Sequence, residues 1–457
     1  MATVAEVRLW DRTIGALSLE DGAQFAAFEY APAFVGSGIQ LSPLVMPLAT
    51  RVYQFPSLAT VSFHGLPGLL ADSLPDRFGN ALIDAWLATQ GRRPDTFNAI
   101  ERLCYIGKRG MGALEFAPVV GPAFRGSTKV SVDALVELAS EVLTHRNSLQ
   151  VSFAPNRRHK GIEDILRVGT SAGGARAKAI VAWNPQTNEV RSGQVEAPPG
   201  FGYWLLKFDG VSSNKDKELE DPKGFTLIEY AYSLMARAAG INMSECRLLQ
   251  EGGRSHFMTR RFDREPDGGK LHMQTLAALA HFDFNIAGIY AYEQTFDVIR
   301  RLELPMRDTE QQFRRMFFNV VARNQDDHVK NIAFLMDKTG KWSLSPAFDV
   351  TYAYNPEGAW TARHQMTLNG KTDQFTSSDF RDCARVAGLK RGRDAEILAE
   401  VVTAVKNWPQ YADEAGVTAK QRDAITSTLR LNFASQPRAR AKRARKPRTR
   451  RNGTQRR

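Results

Sequence analysis

A predicted helix that ends in a cluster of polar residues constrains this chain more than any other feature. Apolar residues at i, i+3, i+4, i+7 and i+8 give the helix one apolar face, which consists of Phe313, Met316, Phe317, Val320 and Val321. The residues that follow, from Arg323 to Asn331, read RNQDDHVKN. A helix that packs on a core holds the loop after it on a rigid support, as a catalytic group requires. The polar cluster is therefore either a solvated turn or a site of chemistry.

The spacing within and after this cluster is typical of phosphoryl transfer. Asp326 precedes Asn331 by five positions, which is the spacing between the base and the metal-binding Asn of kinase catalytic loops. The stretch NIAFLMDKTGKWSLSPAFD then predicts a strand, a turn and a second strand, and it ends at Asp349. Two carboxylates and an Asn in this layout hold Mg²⁺ over phosphates. His328, between Asp326 and Asn331, is either a structural residue that orients the loop or a contact to phosphate.

A glycine-rich segment from Gly169 to Lys178 offers a place for such phosphates. It reads GTSAGGARAK and lies between the apolar runs DILRV and AIVAW, which we predict to be strands. Backbone N–H groups of a glycine-rich loop can approach phosphate because no Cβ obstructs them. Lys178 is followed by Ala179, so this is not the GxxxxGK[ST] pattern, and a merely flexible hairpin is the alternative.

A lysine in an apolar strand is the fourth element of the pattern. The stretch YWLLKFDG places Lys207 among aromatic and aliphatic residues. Such a lysine must either extend its ammonium group to solvent or meet a negative partner, and the α- and β-phosphates of ATP are such a partner. Glu229, on the helix that follows, is either an ion-pair partner of Lys207 or a surface residue.

The order of strand-rich and helix-rich segments predicts the fold class. Strands with turns come first, a second strand-rich segment surrounds the glycine loop and Lys207, and helices follow, beginning with FTLIEYAYSLMARAAGI. This order predicts an α+β protein with a two-lobed protein-kinase-like (phosphatidylinositol-kinase-like) core and a small strand-rich N-terminal subdomain. The predicted divisions are an N-terminal subdomain over 1–115, a core over 116–435 with an N-lobe at about 150–265 and a helical C-lobe at about 266–435, and a tail over 436–457.

The positive charge of the chain is concentrated in that tail. The whole sequence has a net charge of +12, and the tail contains eleven Lys or Arg and no acidic residue. Without it, 50 basic residues face 49 acidic ones, so the rest of the chain is nearly neutral. We expect the tail to be disordered because it has nothing apolar to bury. It is either a solubilising segment or a nonspecific contact to phosphate backbones that weakens with salt.

Other features favour a reducing, aqueous compartment. The apolar runs are short and interrupted by charges, so none predicts a transmembrane helix. The first residues, MATVAEVRLWDRTIG, lack the basic and then apolar layout of a secretory signal. Cys104, Cys246 and Cys383 form neither a metal-binding spacing nor a disulfide framework. We therefore expect a cytoplasmic protein.

With these motifs in view, the sequence resembles the HipA family, the kinase toxins of bacterial toxin–antitoxin pairs. The resemblance covers most of the chain. In the N-terminal part it is carried by LLADSLPDRFG and GKRGMGALEF. In the core it is carried by GTSAGGARAKAIVAWN, YWLLKFDG, HFMTRRFDR, RNQDDHVKNIAF and LSPAFDVTYAYN.

The resemblance implies a role for individual residues. Asp326 would accept the proton of the substrate hydroxyl, and Asn331 and Asp349 would bind Mg²⁺. Ser171 would be the site of autophosphorylation; a phosphate there adds about −1.5 to −2 charge, which would expel the loop and switch the enzyme off. The nucleotide would be bound by the loop residues Gly173, Gly174, Ala175, Arg176, Ala177 and Lys178, by Lys207, His328, Lys330 and Asn331, and by the hinge residues Arg260, Arg261 and Phe262.

The resemblance also implies a function. The protein would be an ATP- and Mg²⁺-dependent serine/threonine kinase that phosphorylates a translation component such as an aminoacyl-tRNA synthetase, with glutamyl-tRNA synthetase as the best candidate, and so causes growth arrest and persistence. Its partner would be a small HipB-like helix-turn-helix antitoxin, and DNA would be bound through that antitoxin, near the bacterial nucleoid, with the tail adding contacts. One alternative is an antitoxin-bound DNA corepressor with little catalysis. Another is a small-molecule or lipid kinase, which no membrane-binding helix supports.

Overall fold

In the described residues, the fold combines three larger antiparallel sheets and one two-stranded hairpin with helices that precede, separate and follow them. The computed structural model describes residues 2–122, 126–144, 165–166, 168–169, 176–211, 215–216, 219–220, 223–265 and 267–433. Ser171, the loop residues Gly173, Gly174 and Ala175, and the tail 436–457 lie outside the described residues. In the described ranges, no helix has the length and apolar character that crossing a bilayer requires.

The first sheet belongs to the N-terminal part of the chain. Its strands are β1 (Ala2–Leu9), β2 (Arg12–Glu20), β3 (Ala27–Tyr30), β4 (Val52–Tyr53) and β5 (Leu114–Ala117). Their order in the sheet is β4-β3-β2-β1-β5. Burial alternates along β1, where Ala5, Val7 and Leu9 face the core, as the period of two in a strand requires.

The second sheet carries the predicted nucleotide-binding residues. Its strands are β6 (Lys178–Asn184), β7 (Glu189–Ser192), β8 (Gly202–Lys207), β11 (Cys246–Glu251) and β12 (Arg254–Arg260), and a separate short hairpin is formed by β9 (Lys215–Asp216) and β10 (Leu219–Glu220). The strand order is β11-β12-β8-β6-β7. Lys178 of β6 lies directly opposite Lys207 of β8, so the two side chains are on the same face of the sheet.

A third, three-stranded sheet supports the loop that contains Asp326. It consists of β13 (His272–Thr275), β14 (Ala333–Met336) and β15 (Trp342–Leu344), in that order. Strands β14 and β15 form the hairpin that the sequence predicts between Asn331 and Asp349. The hairpin therefore joins the two polar segments of the predicted site.

The helices, numbered in chain order, connect and cover these sheets. In the N-terminal half they are α1 (Pro32–Val35), α2 (Thr60–Phe63), α3 (Gly68–Ala71), α4 (Arg77–Thr89), α5 (Ala99–Ile106), α6 (Val132–Thr144) and α7 (Phe225–Ala238). In the C-terminal half they are α8 (Leu276–Ala280), α9 (Tyr292–Arg301), α10 (Met306–Val321), α11 (Ser377–Ala387), α12 (Arg393–Lys406), α13 (Trp408–Ala415) and α14 (Ala419–Thr426). Short 3₁₀ turns lie at Pro94–Thr96 and Val329–Asn331.

Helix α10 confirms the apolar stripe from which the sequence analysis started. Phe313, Met316, Phe317, Val320 and Val321 are all fully buried. The strand predicted for the run DILRV is wrong, because Ile165 and Leu166 are helical. A short apolar run is compatible with a buried strand or a buried helix, and its periodicity alone does not separate the two.

Two apolar cores show how the N-terminal part attaches to the rest. The first core joins the sheet β1–β5 to the C-terminal helices, and includes Val7, Phe28 and Phe317. The second joins α4 and α6 to the sheet that contains β6, β8 and β12. The N-terminal part therefore packs against both lobes of the molecule rather than standing apart from them.

Candidate active site

Lys207 at the end of β8 is the centre of a buried charge cluster. Its Nζ donates to Glu229 Oε1 at 2.6 Å, and it also donates to Asp349 Oδ1. Glu229 lies on α7 and is only 1% exposed. The ion-pair alternative for Glu229 is thus confirmed and the surface alternative is wrong. The contact with Asp349 brings together two residues that are far apart in the sequence.

The charges in this cluster determine which groups are ionised. Burial alone would lower the pKa of Lys207, but Asp349 and Glu229 raise it above its ordinary value. Burial alone would raise the pKa of Asp349, but the positive charges of Lys207, Lys178 and Arg176 hold it below its ordinary value. Burial raises the pKa of Glu229, and Lys207 opposes that rise only in part. Lys207 is therefore a cation and Asp349 an anion at neutral pH.

Lys178, which ends the glycine loop, is held by a residue of the N-terminal part. Its Nζ lies 3.0 Å from Asp76 Oδ2, and the two side chains are 5% and 7% exposed. The other oxygen of Asp76 accepts from the Gly79 amide at 2.6 Å and so caps helix α4. Sequence analysis missed Asp76 as a site residue. Its motif, LLADSLPDRFG, was visible, but nothing in it indicates a partner a hundred residues later.

The residues before Lys178 contribute one further cation. The Arg176 guanidinium lies 3.5 Å from the centre of the Phe225 ring, at the start of α7. The Ala177 carbonyl accepts from the Phe208 amide at 3.3 Å, which ties the loop end to the strand of Lys207. Arg176, Lys178 and Lys207 therefore all act on the surroundings of Asp349.

Backbone hydrogen bonds hold the catalytic loop beside the segment that follows Asp349. The Gln325 amide donates to the Ala353 carbonyl at 3.0 Å, and the Ala353 amide donates to the Arg323 carbonyl at 3.1 Å. Arg323 and Asp349 have φ values of 58° and 55°, in the left-handed region that costs a non-glycine residue about 1–2 kcal/mol. Arg323 accepts one of these two hydrogen bonds, so the pairing helps to hold its left-handed conformation.

Asp326 is the more exposed of the two adjacent aspartates. Its side chain is 30% exposed, and its Oδ1 lies 3.8 Å from His328 Nε2. The same oxygen accepts a hydrogen bond from Trp360 Nε1 at 2.6 Å. Asn331 Nδ2 donates to the backbone carbonyl of Asp326 at 2.9 Å, which leaves the amide oxygen of Asn331 to bind a cation.

Asp327 is buried and anchors the loop. Its carboxylate accepts from the Tyr292 hydroxyl at 2.6 Å and from the Gln365 amide at 2.8 Å. Its Oδ2 lies 2.8 Å from His364 Nδ1, and Arg430 lies 3.0 Å from His364 Nε2. Because Arg430 can only donate, His364 Nε2 accepts its hydrogen bond. The protonated Nδ1 of His364 then donates a hydrogen bond to Asp327 Oδ2. Burial would raise the pKa of Asp327, but His364 and the other donors lower it.

His328 and Lys330 line the same loop beside Phe284. The centres of the His328 and Phe284 rings are 6.5 Å apart, and Lys330 Nζ lies 4.4 Å from the centre of the Phe284 ring. Burial raises the pKa values of Asp72 and Asp76, and the charge of Lys330 opposes that rise at both carboxyls. Lys330 and Lys178 thus both act on Asp76, which places the loop of Lys330 and the first residue of β6 near one N-terminal segment.

The backbone amides of the predicted hinge, Arg260 to Phe262, differ in whether they find a hydrogen-bond acceptor among the described residues. The Arg260 amide donates to the Glu245 carbonyl at 2.8 Å, and the Arg261 amide donates to the Tyr203 carbonyl at 2.9 Å. The Arg261 side chain is buried against Asp263 at 2.7 Å, which gives it a structural role. The Phe262 amide finds no acceptor among the described residues, and its ring lies 5.6 Å from that of Phe348. Of the three hinge amides, that of Phe262 is the one able to bind a base.

The donor set suits a magnesium ion bound together with phosphates. In the part of the chain that the structure describes, no group of three or more His, Cys, Asp or Glu side chains could hold a metal ion by itself. Mg²⁺ is commonly bound by one or two carboxylates plus substrate phosphates and water. The Asp349 carboxylate, which is 32% exposed, and the Asn331 amide oxygen are hard oxygen ligands of that kind.

Comparison with known proteins identifies the family. A model of the HipA-like C-terminal domain matches residues 170–408, more than half of the chain. The chain belongs to the HipA family. A model of the HipA N-terminal domain matches residues 5–117 of this HipA-family protein.

Solved and curated relatives agree with that assignment. HipA of Shewanella oneidensis MR-1, solved in complex with HipB and operator DNA, has a TM-score of 0.64 and 16% identity, and covers 93% of this chain and 94% of that chain. At this identity the likeness concerns the fold, and it confirms the α+β, kinase-like class. Y4dM of Sinorhizobium fredii, provisionally named a kinase, is 24% identical over 248 residues, which are 49% of this chain and 56% of Y4dM. The match thus spans about half the length of that relative.

Proposed function

We propose that this HipA-family protein is an ATP- and Mg²⁺-dependent serine/threonine protein kinase that acts as the toxin of a toxin–antitoxin pair. The observation that carries the proposal is the contact of Lys207 with both Glu229 and Asp349, next to a loop that presents Asp326 and Asn331. A lysine paired with a helix glutamate, a catalytic Asp, an Asn and a second Asp are the parts that kinase phosphoryl transfer uses.

In this proposal the cations of the cleft bind the triphosphate. Lys207 and Lys178 lie on one face of the second sheet, and Lys330 approaches from the catalytic loop. Arg176, His328 and the glycine-loop residues Gly173, Gly174 and Ala175 would add further contacts with the phosphates. The Phe262 amide would bind the adenine ring. Because three lysines converge on this cleft, we infer that a polyphosphate is the ligand that they bind.

Asn331 and Asp349 would hold Mg²⁺ through their side-chain oxygens. When bound, the ion neutralises charge that develops on the phosphate oxygens. Lys207 occupies Oδ1 of Asp349, so Oδ2 is the oxygen left for the metal. Asp326, whose Oδ1 accepts a hydrogen bond from Trp360, would accept the proton of a serine or threonine hydroxyl.

The biological part of the proposal follows the family. The substrate would be a translation component. The candidate is an aminoacyl-tRNA synthetase, and glutamyl-tRNA synthetase is the first one to test. The protein would act in the cytoplasm, and phosphorylation of its substrate would arrest growth. The Shewanella relative binds HipB and operator DNA. We therefore propose a small helix-turn-helix antitoxin as partner, DNA contact through it, and added backbone contacts from the basic tail. Phosphorylation of Ser171 would switch the enzyme off.

Expression of wild-type and Asp326→Asn chains in bacteria tests the proposal. We expect the wild type to arrest growth and Asp326→Asn to lose the arrest, because the base is gone while the fold is kept. Asp382→Asn, a change at an exposed carboxylate of α11, is the matched control and should arrest growth like the wild type. Phosphoproteomics of the arrested cells should find new phosphoserine or phosphothreonine on a translation protein and on Ser171. Growth arrest by Asp326→Asn at wild-type strength would refute the proposal.

A further inference from the structure

Trp360 contacts the carboxylate that the proposed reaction uses as its base. Its indole Nε1 donates to Asp326 Oδ1 at 2.6 Å. Trp360 belongs to the irregular segment that follows Asp349 and Ala353, and it was not singled out by sequence analysis. No periodic pattern surrounds it, so only the folded chain reveals that it reaches the catalytic loop.

A second set of contacts ties Trp360 to the anchored neighbour of the base. The Gln365 side chain donates to the Trp360 carbonyl, and the Gln365 amide donates to Asp327 Oδ1 at 2.8 Å. Trp360 is thus held at its backbone through Asp327 and holds Asp326 with its ring. The two adjacent aspartates are thus connected through two residues outside their loop, Gln365 and Trp360.

The chemistry of an indole limits what this contact can do. An indole N–H only donates, so Trp360 neither takes a proton from the substrate nor binds a metal. A donor to an ionised carboxylate makes a short and strong hydrogen bond. A hydrogen bond to Oδ1 therefore restricts the rotation of the Asp326 carboxylate.

We propose that Trp360 is a positioning residue for the phosphoryl transfer proposed above, because its hydrogen bond holds the Asp326 carboxylate in the orientation that receives the proton of the acceptor hydroxyl. The inference rests on the proposed kinase function and adds to it a residue outside the catalytic loop. The segment that carries Trp360 then forms one wall of the acceptor site, since it lies against the base itself.

The turn around Trp360 does not depend on the indole N–H for its shape. The Gly358 amide donates to the Asn355 carbonyl at 3.1 Å, and the Asn355 amide donates to the Thr361 carbonyl at 3.4 Å. Trp360→Phe keeps an aromatic ring in this turn and removes the donor. The variant should therefore fold, and its effect should be confined to the orientation of Asp326.

Three kinetic variants test the role of Trp360. Trp360→Phe removes the donor, and Trp360→His restores a ring N–H. Trp183→Phe is the matched control, since the Trp183 indole also donates to a side-chain oxygen, that of Asn188 at 2.9 Å, in the β6–β7 hairpin. Each full-length chain is titrated with ATP and Mg²⁺, and phosphate transfer from γ-labelled ATP to casein and to the chain itself is followed from pH 5 to pH 9.

We expect Trp360→Phe to bind ATP like the wild type but to transfer phosphate about 10- to 100-fold more slowly, because a misplaced base loses its alignment. The acidic limb of its pH–rate profile should move to higher pH, since a donor to the charged form has been lost. Trp360→His should recover part of the rate, and Trp183→Phe should match the wild type in both rate and profile.

Two results for Trp360→Phe would overturn this role while leaving the kinase function standing. One is an unchanged rate with an unchanged pH–rate profile. The other is a faster rate, which would make the contact a block on the base. A wild-type chain that binds ATP without transferring its phosphate to any acceptor would instead refute the proposed function, and the role of Trp360 with it.

Discussion

The two sides of the cleft are built on different physical principles. One side, which we call the lysine wall, consists of Lys178 and Lys207 with their partners Asp76, Glu229 and Asp349, and it is held by buried charge pairs. The other side is the catalytic loop, in which Asp326 and Asp327 are held mainly by neutral donors. The carboxylates of the lysine wall balance lysine charges, whereas those of the loop accept bonds from hydroxyl, amide, imidazole and indole groups.

This difference predicts how each side responds to mutation. Removing one member of a buried ion pair leaves the other charge buried without a partner, which lowers the free energy of unfolding. Removing a partly exposed carboxylate that faces a cleft costs little stability but removes chemistry. The lysine wall should therefore show large stability effects, and within the loop stability and activity should separate between Asp327 and Asp326.

The largest stability effect is expected for Lys207→Met. The buried Glu229 then loses its counter-charge, and the free energy of unfolding should fall by about 3–5 kcal/mol. Burial raises the pKa of Glu229 in the folded state, so protonation of Glu229 stabilises the fold at low pH. This stabilisation is lost as the pH rises. The variant should thus be less destabilised at pH 5 than at pH 8, as measured by urea denaturation.

The control for this prediction is Lys338→Met, which changes an exposed lysine in the β14–β15 turn. Its unfolding free energy should stay within about 0.5 kcal/mol of the wild type. If Lys207→Met is no more destabilised than the control, the charge pairs of the lysine wall do not hold that side together.

For Asp327→Asn, the free energy of unfolding should fall by a smaller amount, about 2–3 kcal/mol, because the donors Tyr292 and His364 lose a charged acceptor. Asp326→Asn is the matched change one residue away and should stay within about 0.5 kcal/mol. The pKa of Asp327 is lowered, so its contribution is present above about pH 4 and is lost as pH falls further. The difference between wild type and Asp327→Asn in urea should therefore shrink toward pH 3. Equal stability of the two variants would remove the distinction between anchor and base.

Among the buried carboxylates, the smallest loss of stability is expected for Asp76→Asn. Asn still caps helix α4 at the Gly79 amide, so the change tests only the charge that faces Lys178. Lys178 keeps the nearby negative charge of Asp349, so the free energy of unfolding should fall by only about 1–2 kcal/mol, less than for an isolated buried charge. A matched variant, Asp84→Asn, changes a less buried pair of the same helix, in which Asp84 and its partner Arg102 are 20% and 17% exposed. Indistinguishable unfolding curves for the two variants would show that the N-terminal part does not support the lysine wall by charge.

Sequence reasoning succeeded where a local pattern determines the structure. The 3.6-residue stripe of Phe313, Phe317 and Val321 predicts α10, and alternation around a DKTG turn predicts the hairpin β14–β15. Lys207 in an apolar strand requires a partner, and Glu229 was one of the two options. In each case the physical constraint lies within a few residues of the feature that it predicts.

It failed where the constraint is long-range. The salt bridge of Asp76 with Lys178 and the hydrogen bond of Trp360 with Asp326 join segments that no periodicity relates. The sequence does not distinguish Asp326 from Asp327. Only the structure shows that Asp327 is the anchor, because it is buried among Tyr292, His364 and Gln365, whereas Asp326 is partly exposed. The run DILRV was misassigned because a short apolar segment is compatible with either a strand or a helix.

The most direct test of the account is a calorimetric titration of ATP into the full-length protein with and without Mg²⁺. Wild type and Asp326→Asn should both bind ATP, each more tightly when Mg²⁺ is present, whereas Asp349→Asn should lose the gain from the metal. The roles of Lys207, Asn331 and Asp349 require this result, because all three would meet on one metal-bound triphosphate. Absence of ATP binding by the wild type, or binding that ignores Mg²⁺ in every variant, would contradict the account.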